Sequence, residues 1–334
     1  MLLCLTVQAA EEPGSPPQEF VEITPKLEDS VEKALAWLAK NQSHEGNWGN
    51  EGAQGQYQMA MTGLAGLAFL AAGHTPERGK YGPNVSRAIE YCLKHAEKSS
   101  DGLIDSGQDG QQMYGHGFAM TFLGEAYGMC PAETNARIRT VLTKAVKKTQ
   151  QSQSGNGGWY YSPNSGADEG SVTVTQVQGL RSARNAGIDV PEAVMKKAIE
   201  YLHKSQNSDG GIRYSLAGGT SSPALTAAGA EVFMMAGQYH AKEAEKACEY
   251  LKKNLDPRRT QGYHDMYTNF YGSQAMFQIG GDYWTHYFTL MRDRLLSSQS
   301  TDGCWHGDVG STYSTAISVL ILCLPYRYLP IYQR

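Results

Sequence analysis

The chain has 334 residues, of which 41% are hydrophobic and 19% charged, with 37 glycines and a formal net charge of −4. At roughly 150 residues per domain the length leaves room for two domains, so internal repeats have to decide the number. The apolar fraction excludes a disordered chain, the balanced charge provides no basic footprint for nucleic acid, and no apolar run reaches the ~18 residues of a membrane-spanning helix.

Residues 1–10, MLLCLTVQAA, form an apolar stretch whose Val7-Gln8-Ala9 ending has the small-x-small pattern of a signal-peptidase site. A remnant of a signal peptide here implies export to the periplasm or cell envelope. The Pro-rich residues 11–27 then read as a flexible N-terminal segment. Six cysteines are scattered along the chain, and loss of the leader removes Cys4 and leaves five. An odd, dispersed set has no disulfide framework to offer, and these residues read as small buried apolar groups.

From residue 28 to 334 one unit recurs: an amphipathic helix, a glycine turn, then a helix of small apolar residues closed by glycine. The turn glycines are Gly46, Gly102, Gly157, Gly210, Gly262 and Gly303, which define six units. The second helices stop at Gly73, Gly128, Gly187, Gly237 and Gly280, where glycine suits the left-handed position after a helix. The sixth stops at Pro325, which cannot continue one. The first helices keep one wet face, with Val31, Leu35 and Leu38 set among Glu32, Lys33 and Lys40. The second helices, such as MAMTGLAGLAFLAAG (59–73), carry almost no charge around their circumference, so they are expected to be buried on all sides. An inner ring of apolar helices inside an outer ring of amphipathic ones satisfies both patterns. Neither end shows the polar capping repeat of an open solenoid, so the ring is expected to close.

Four turns share a further signature, in which Gln is followed by Gly at the fourth and an aromatic or apolar residue at the sixth position. They are Gln42-Gly46-Trp48, Gln153-Gly157-Trp159, Gln206-Gly210-Ile212 and Gln299-Gly303-Trp305. A Gln at a helix end can bond exposed backbone groups and tie adjacent hairpins together. Units two and five keep Gly102 and Gly262 without the matching Gln or Trp. These Q-x3-G-x-W turns resemble the QW repeats of the squalene cyclase and protein prenyltransferase superfamily. SVTVTQVQGLRSARNAGIDVP (171–191), YGSQAMFQIGGDYW (271–284) and PYRYLPIYQR (325–334) are similar to bacterial prenyltransferase/squalene-oxidase repeat-containing proteins. The resemblance implies an all-α fold, an α6-α6 toroid of six helical hairpins, in a superfamily of transferases and isomerases.

In such a ring the inner helices aim their positive N-terminal ends at one mouth, which favours anions. Asp168 and Glu169 are adjacent carboxylates there, and with Asp265 and His116 they are the candidate catalytic groups. Helix capping is the plain alternative for the acids, and a hydrogen-bonded core histidine is the alternative for His116. Tyr57, Tyr114, Tyr267, Phe270 and Tyr313 could line a ligand site through their aromatic faces or simply pack the core. The D-x-D-D acid that the resembled cyclases use for protonation is missing from this sequence. The zinc set of the resembled prenyltransferases, D-x-C with a later His, is met only by Asp302 and Cys304, because Ser314 and Thr315 occupy the later position. His264, Cys304, His306 and Asp308 form a looser group of zinc-type ligands, and otherwise no cofactor is expected. The expected ligand is an elongated, hydrophobic, isoprenoid-like small molecule in a central cavity, bound and potentially transformed. Two alternatives stay open at this point: a non-enzymatic envelope binding or scaffold module, and a carbohydrate-active enzyme using paired carboxylates.

Overall fold

A computed structural model describes residues 21–49 and 56–333 of the chain. The expected leader, residues 1–10, lies outside the described residues, as does most of the segment 11–27. Helix formation begins inside the latter: Pro25 opens the first helix, capped by the Thr24 hydroxyl, which accepts from the Leu27 amide.

Twelve α-helices follow one another among the described residues. The odd-numbered ones are outer: α1 (Pro25–Lys40), α3 (Gly82–Lys98), α5 (Ala132–Ser152), α7 (Glu192–Ser205), α9 (Lys242–Asn254) and α11 (Gly281–Ser298). The even-numbered ones are inner: α2 (Gln58–Ala71), α4 (Gln112–Ala126), α6 (Gly170–Asn185), α8 (Pro223–Met235), α10 (Asp265–Ile279) and α12 (Ser311–Cys323). Each inner helix packs on the next, and α12 returns to α2, so the ring is closed, with α1 resting against α11 and α12. The all-round apolar pattern has the expected consequence: every residue from Met59 to Ala71 is buried, while α1 buries only one stripe that includes Val31, Leu35 and Leu38. None of the described helices is long and apolar enough to cross a membrane.

The turn signature works as a staple between hairpins. In each complete turn the Gln Nε2 donates to the carbonyl of its own turn glycine and to a carbonyl of the next outer helix. These pairs are Gln42 to Gly46 and Asn84, Gln153 to Gly157 and Val194, and Gln206 to Gly210 and Glu243. The last member closes the ring: Gln299 donates to Gly303 and, 269 residues back in sequence, to Ser30, whose hydroxyl bonds Gln299 in return. The indole N–H groups of Trp48, Trp159 and Trp305 donate to Leu38, Thr149 and Leu295, in each case ten residues upstream in the outer helix. Gly157 and Gly303 show why glycine is required: both have positive φ, and a Cβ at either would strike the carbonyl of Lys197 or Lys33 in the next outer helix.

The two units lacking the signature use ion pairs instead. In unit two Lys148 of α5 reaches back to Asp101, and in unit five Arg294 of α11 reaches back to Asp265. Gly102 still packs against the next outer helix at Lys144, whereas a Cβ at Gly262 would meet nothing within 4 Å. Unit five is therefore the loose joint of the ring.

Candidate functional site

Of the expected site residues, Glu169 caps an inner helix, and the two aspartates brace the turns that lead into theirs. Glu169 is fully buried at the N-terminus of α6, where its carboxylate accepts from the Ser171 and Val172 amides and the Ser171 hydroxyl. Burial nevertheless pushes its pKa up, against those hydrogen bonds. Asp168, its neighbour, accepts from Ser154 and Asn156 and so braces the preceding turn. Asp265 opens α10 and accepts from the Gln261 amide and the Asn269 side chain besides pairing with Arg294. His116 is fully buried away from these groups. Its Nδ1 accepts from the Ile104 amide at 3.0 Å, its Nε2 lies 3.0 Å from the Thr149 hydroxyl, and burial lowers its pKa to about 4. It stays neutral near pH 7 with both nitrogens engaged.

The tyrosines converge toward one another: burial pushes Tyr114 and Tyr267 up, and the nearby Tyr313 and Glu169 push them further in the same direction. Tyr57 and Tyr114 meet edge to face at the mouth, Tyr114 packs on Tyr161, and Tyr161 reaches Tyr214 through their hydroxyls at 2.6 Å. Tyr267 meets Tyr271 edge to face, the buried Phe270 is tilted against Tyr271, and Tyr313 lies in the first turn of α12.

The axis of the ring is not hollow at mid-depth. Gln178 of α6 donates to Gln274 of α10 at 2.8 Å, and the Tyr271 hydroxyl donates to Gln178. Glycines draw the first inner helices together: a Cβ at Gly63 would strike the Phe118 backbone, and one at Gly117 the carbonyl of Thr175. Below this layer the chain's C-terminal segment turns back into the ring. Glu125 accepts from the Ile331 amide, Gln278 donates to the Tyr332 carbonyl, and Leu329, Ile331 and Tyr332 are buried. A ligand threaded through the whole length of the central axis would have to pass the Gln178–Gln274 contact and the C-terminal segment.

The open space lies off the axis, at the joint between units five and six. A cavity of about 470 Å³ is lined by α10, α11, α12 and the turns leading into α10 and α12. That falls within the roughly 300–1,000 Å³ typical of small-molecule pockets. Its position follows from the repeat: the turn of unit five has no Trp to fill the gap and no glycine contact to close it. Met291, Leu295, Trp305 and Ile321 form a buried apolar floor. The rim carries His264, His306 and Asp308, all exposed, together with the Asp265–Arg294 pair. Tyr267 and Tyr313 are in the wall, so the cavity gathers Asp265, Tyr267, Tyr313, His264, His306 and Asp308 from the sequence-derived set. Asp168, Glu169, His116, Tyr57, Tyr114 and Phe270 are elsewhere. The hydroxyls of two wall residues, Tyr267 and Ser314, are buried without a hydrogen-bond partner.

Of the zinc-type residues, the structure brings together Asp302, Cys304 and His306, whose ligand atoms lie within 4.8 Å of one another. His264 and Asp308 stay outside this trio. Burial and the Asp302 carboxylate beside it raise the Cys304 thiol to about 11.

Sequence reasoning missed two acids inside the inner helices, besides the buried Asp109, which accepts from the Met59 amide at the start of α2. Glu125 and Glu231 are the single charges in the apolar inner helices α4 and α8, and burial raises them to about 7 and about 8. Ser182 and Ile331 satisfy Glu125, whereas both carboxyl oxygens of Glu231 lack a partner. The available signal was the isolated charge itself, since an unpaired acid on a fully buried helix must be specially accommodated.

No protein-family model matches the chain, and no curated protein matches it in sequence. Solved structures match its fold. The type II terpene cyclase MstE from Scytonema, in its apo form, is similar with a TM-score of 0.65 at 16% identity over 92% of this chain and 100% of that one. The same cyclase in a substituted form holding geranylgeranyl dihydroxybenzoate is similar with a TM-score of 0.64 at 16% identity, over 91% of this chain and 98% of that one. The GH76A α-1,6-mannanase of Salegentibacter sp. HEL1_6 is similar with a TM-score of 0.66 at 9% identity, over 90% and 99%. The chain thus has the α/α-toroid fold of the terpenoid cyclase and prenyltransferase kind, which is also the fold of a glycoside hydrolase.

Proposed function

We propose that the protein binds an amphiphilic, isoprenoid-like small molecule in the cavity between units five and six. The observation that carries this reading is the polarity gradient of that cavity, from the buried floor of Met291, Leu295, Trp305 and Ile321 to the exposed rim of His264, His306 and Asp308. An apolar chain would bury against the floor at about 25 cal/mol per Å². A polar head would remain at the rim, where the exposed His264, His306 and Asp308 offer hydrogen-bonding groups. A polyol would instead leave its hydroxyls unpaired on an apolar floor, which is costly. One toroid of similar fold is a terpene cyclase solved with geranylgeranyl dihydroxybenzoate, a molecule with this division into tail and head.

Calorimetric titration of the purified protein with geranylgeranyl dihydroxybenzoate and, separately, with α-1,6-mannotriose tests the proposal. Saturable binding of the isoprenoid is expected, weakened at least about tenfold by Met291→Trp, which fills the floor. Binding of the saccharide alone, or isoprenoid binding that Met291→Trp leaves unchanged, would overturn it.

A further inference from the structure

We propose that residues 327–333 are a proton-gated plug of the ring, docked at the C-terminal ends of the inner helices while Glu125 and Glu231 are protonated and released as these acids ionise. The segment holds a single 3₁₀ turn, Pro330–Tyr332, yet it buries Leu329, Ile331 and Tyr332 against the ring. The Tyr328 ring lies beside Gly73 just past α2, and the Arg327 guanidinium sits 5.5 Å from the centre of the Phe277 ring of α10. The backbone is tied to side chains of the ring rather than to a helix ladder. The Ile331 amide donates to Glu125 at 3.2 Å, and the Tyr332 carbonyl accepts from Gln278 at 2.6 Å. A segment held in this way can leave as a unit without unwinding an inner helix.

Both acids border the seat, and both act on Tyr332. Glu125 stands in the last turn of α4, where the negative end of the helix dipole disfavours a carboxylate. Facing it are the Ser182 hydroxyl of α6 and the Ile331 amide. Facing Glu231 are Arg181 of α6, Cys248 of α9, Tyr271 of α10 and Tyr332. The Arg181 guanidinium donates to the Met235 carbonyl at 2.6 Å, and neither Glu231 oxygen has a hydrogen-bond partner. An apolar residue at either place would avoid the cost of burying a carboxyl, so packing alone gives no reason for two acids here. Burial holds them at about 7 and about 8, and water reaching the open seat would return them toward 4.5. Docking therefore takes up protons. It is strongest below the ordinary carboxylate value and weakens by about tenfold per pH unit for each acid as pH rises toward 7 and 8. Release uncovers Ala71, Leu320 and Cys323, which border the segment, and opens this end of the ring whatever the off-axis cavity binds.

Hydrogen exchange of the full-length protein, corrected for the intrinsic effect of pH on amide exchange, tests the plug. Between about pH 5.5 and 7.5, protection of residues 328–333 should fall at least about a hundredfold. At the upper pH it should lie at least about a hundredfold below that of α4 and α8, as local release requires. Glu125→Gln with Glu231→Gln imitates the protonated pair and keeps an acceptor for the Ile331 amide, so protection should change less than about threefold over the same range. Glu231→Gln alone should remove about one tenfold step per pH unit, and thermal unfolding of each variant confirms that it is folded. Protection of 328–333 that ignores pH, that equals the protection of α4 and α8, or that falls as steeply in the double variant would each overturn the plug.

Discussion

Gln299→Ala tests how the ring is closed. The side chain makes three half-buried hydrogen bonds: to the Gly303 carbonyl at 2.8 Å, to the Ser30 carbonyl at 2.9 Å, and from the Ser30 hydroxyl at 2.8 Å. At about 0.5–1.5 kcal/mol each, their loss should cost about 2–4 kcal/mol. The bonds to Ser30 join α1 to the last hairpin, so the cost should fall on the opening of α1 rather than be spread over the ring. Every 1.4 kcal/mol is about tenfold, so hydrogen exchange across residues 25–40 should accelerate by about 30-fold to several hundredfold. Gln153→Ala, which removes the same kind of staple inside the ring, should destabilise without singling out α1. Native-state exchange read by mass spectrometry compares the two. Unchanged protection of α1 in Gln299→Ala, beside a destabilised Gln153→Ala, would refute closure through this staple.

Gly157→Ala should cost more than about 3 kcal/mol, combining positive φ with a clash against the Lys197 carbonyl, whereas Gly262→Ala should cost only the ~1–2 kcal/mol of its backbone conformation; urea unfolding of both separates the tight turn from the loose one. Glu231 has its folded pKa raised from 4.5 to about 8, so the folded state holds a proton that the unfolded chain releases across that range. The stability present below pH 4.5 should accordingly fall as pH rises toward 8, by on the order of 4 kcal/mol, and Glu231→Gln should flatten that slope in unfolding curves taken from pH 5 to 8. Tyr267→Phe removes a buried hydroxyl with no partner and should raise stability of the ligand-free protein by about 1 kcal/mol in thermal unfolding; a loss of similar size would show that the hydroxyl is bonded after all.

The fold was readable in the sequence because its devices are local. Gly46, Gly157, Gly210 and Gly303 each sit four residues after a Gln that bonds them, and Gly73, Gly128, Gly187, Gly237 and Gly280 all take the positive φ that a helix stop implies. Such requirements leave a mark at fixed spacing. The site was only partly readable, because it arises from packing between distant segments. Gln178 and Gln274 fill the axis from positions 96 residues apart, and nothing in either local sequence announces their meeting. The cavity was written as an omission: unit five lacks its Gln and Trp, which the sequence displays, but the resulting space depends on how α10, α11 and α12 settle around it. Asp168 and Glu169 drew attention as an adjacent pair, yet each carboxylate is taken up by its own turn or helix end. Asp302 and Cys304 were visible as D-x-C. The third member, His306, was placed in a looser group because the alternation of side chains along a short turn is evident only once its backbone is seen.

The most direct measurement for the off-axis site is photo-crosslinking with a geranylgeranyl probe carrying a diazirine at its tail, followed by peptide mapping. Labels should fall on residues of α11 and α12 around Met291, Leu295 and Ile321. Labelling confined to α2, α4 and α6, or no labelling that unmodified isoprenoid can compete away, would contradict the assignment.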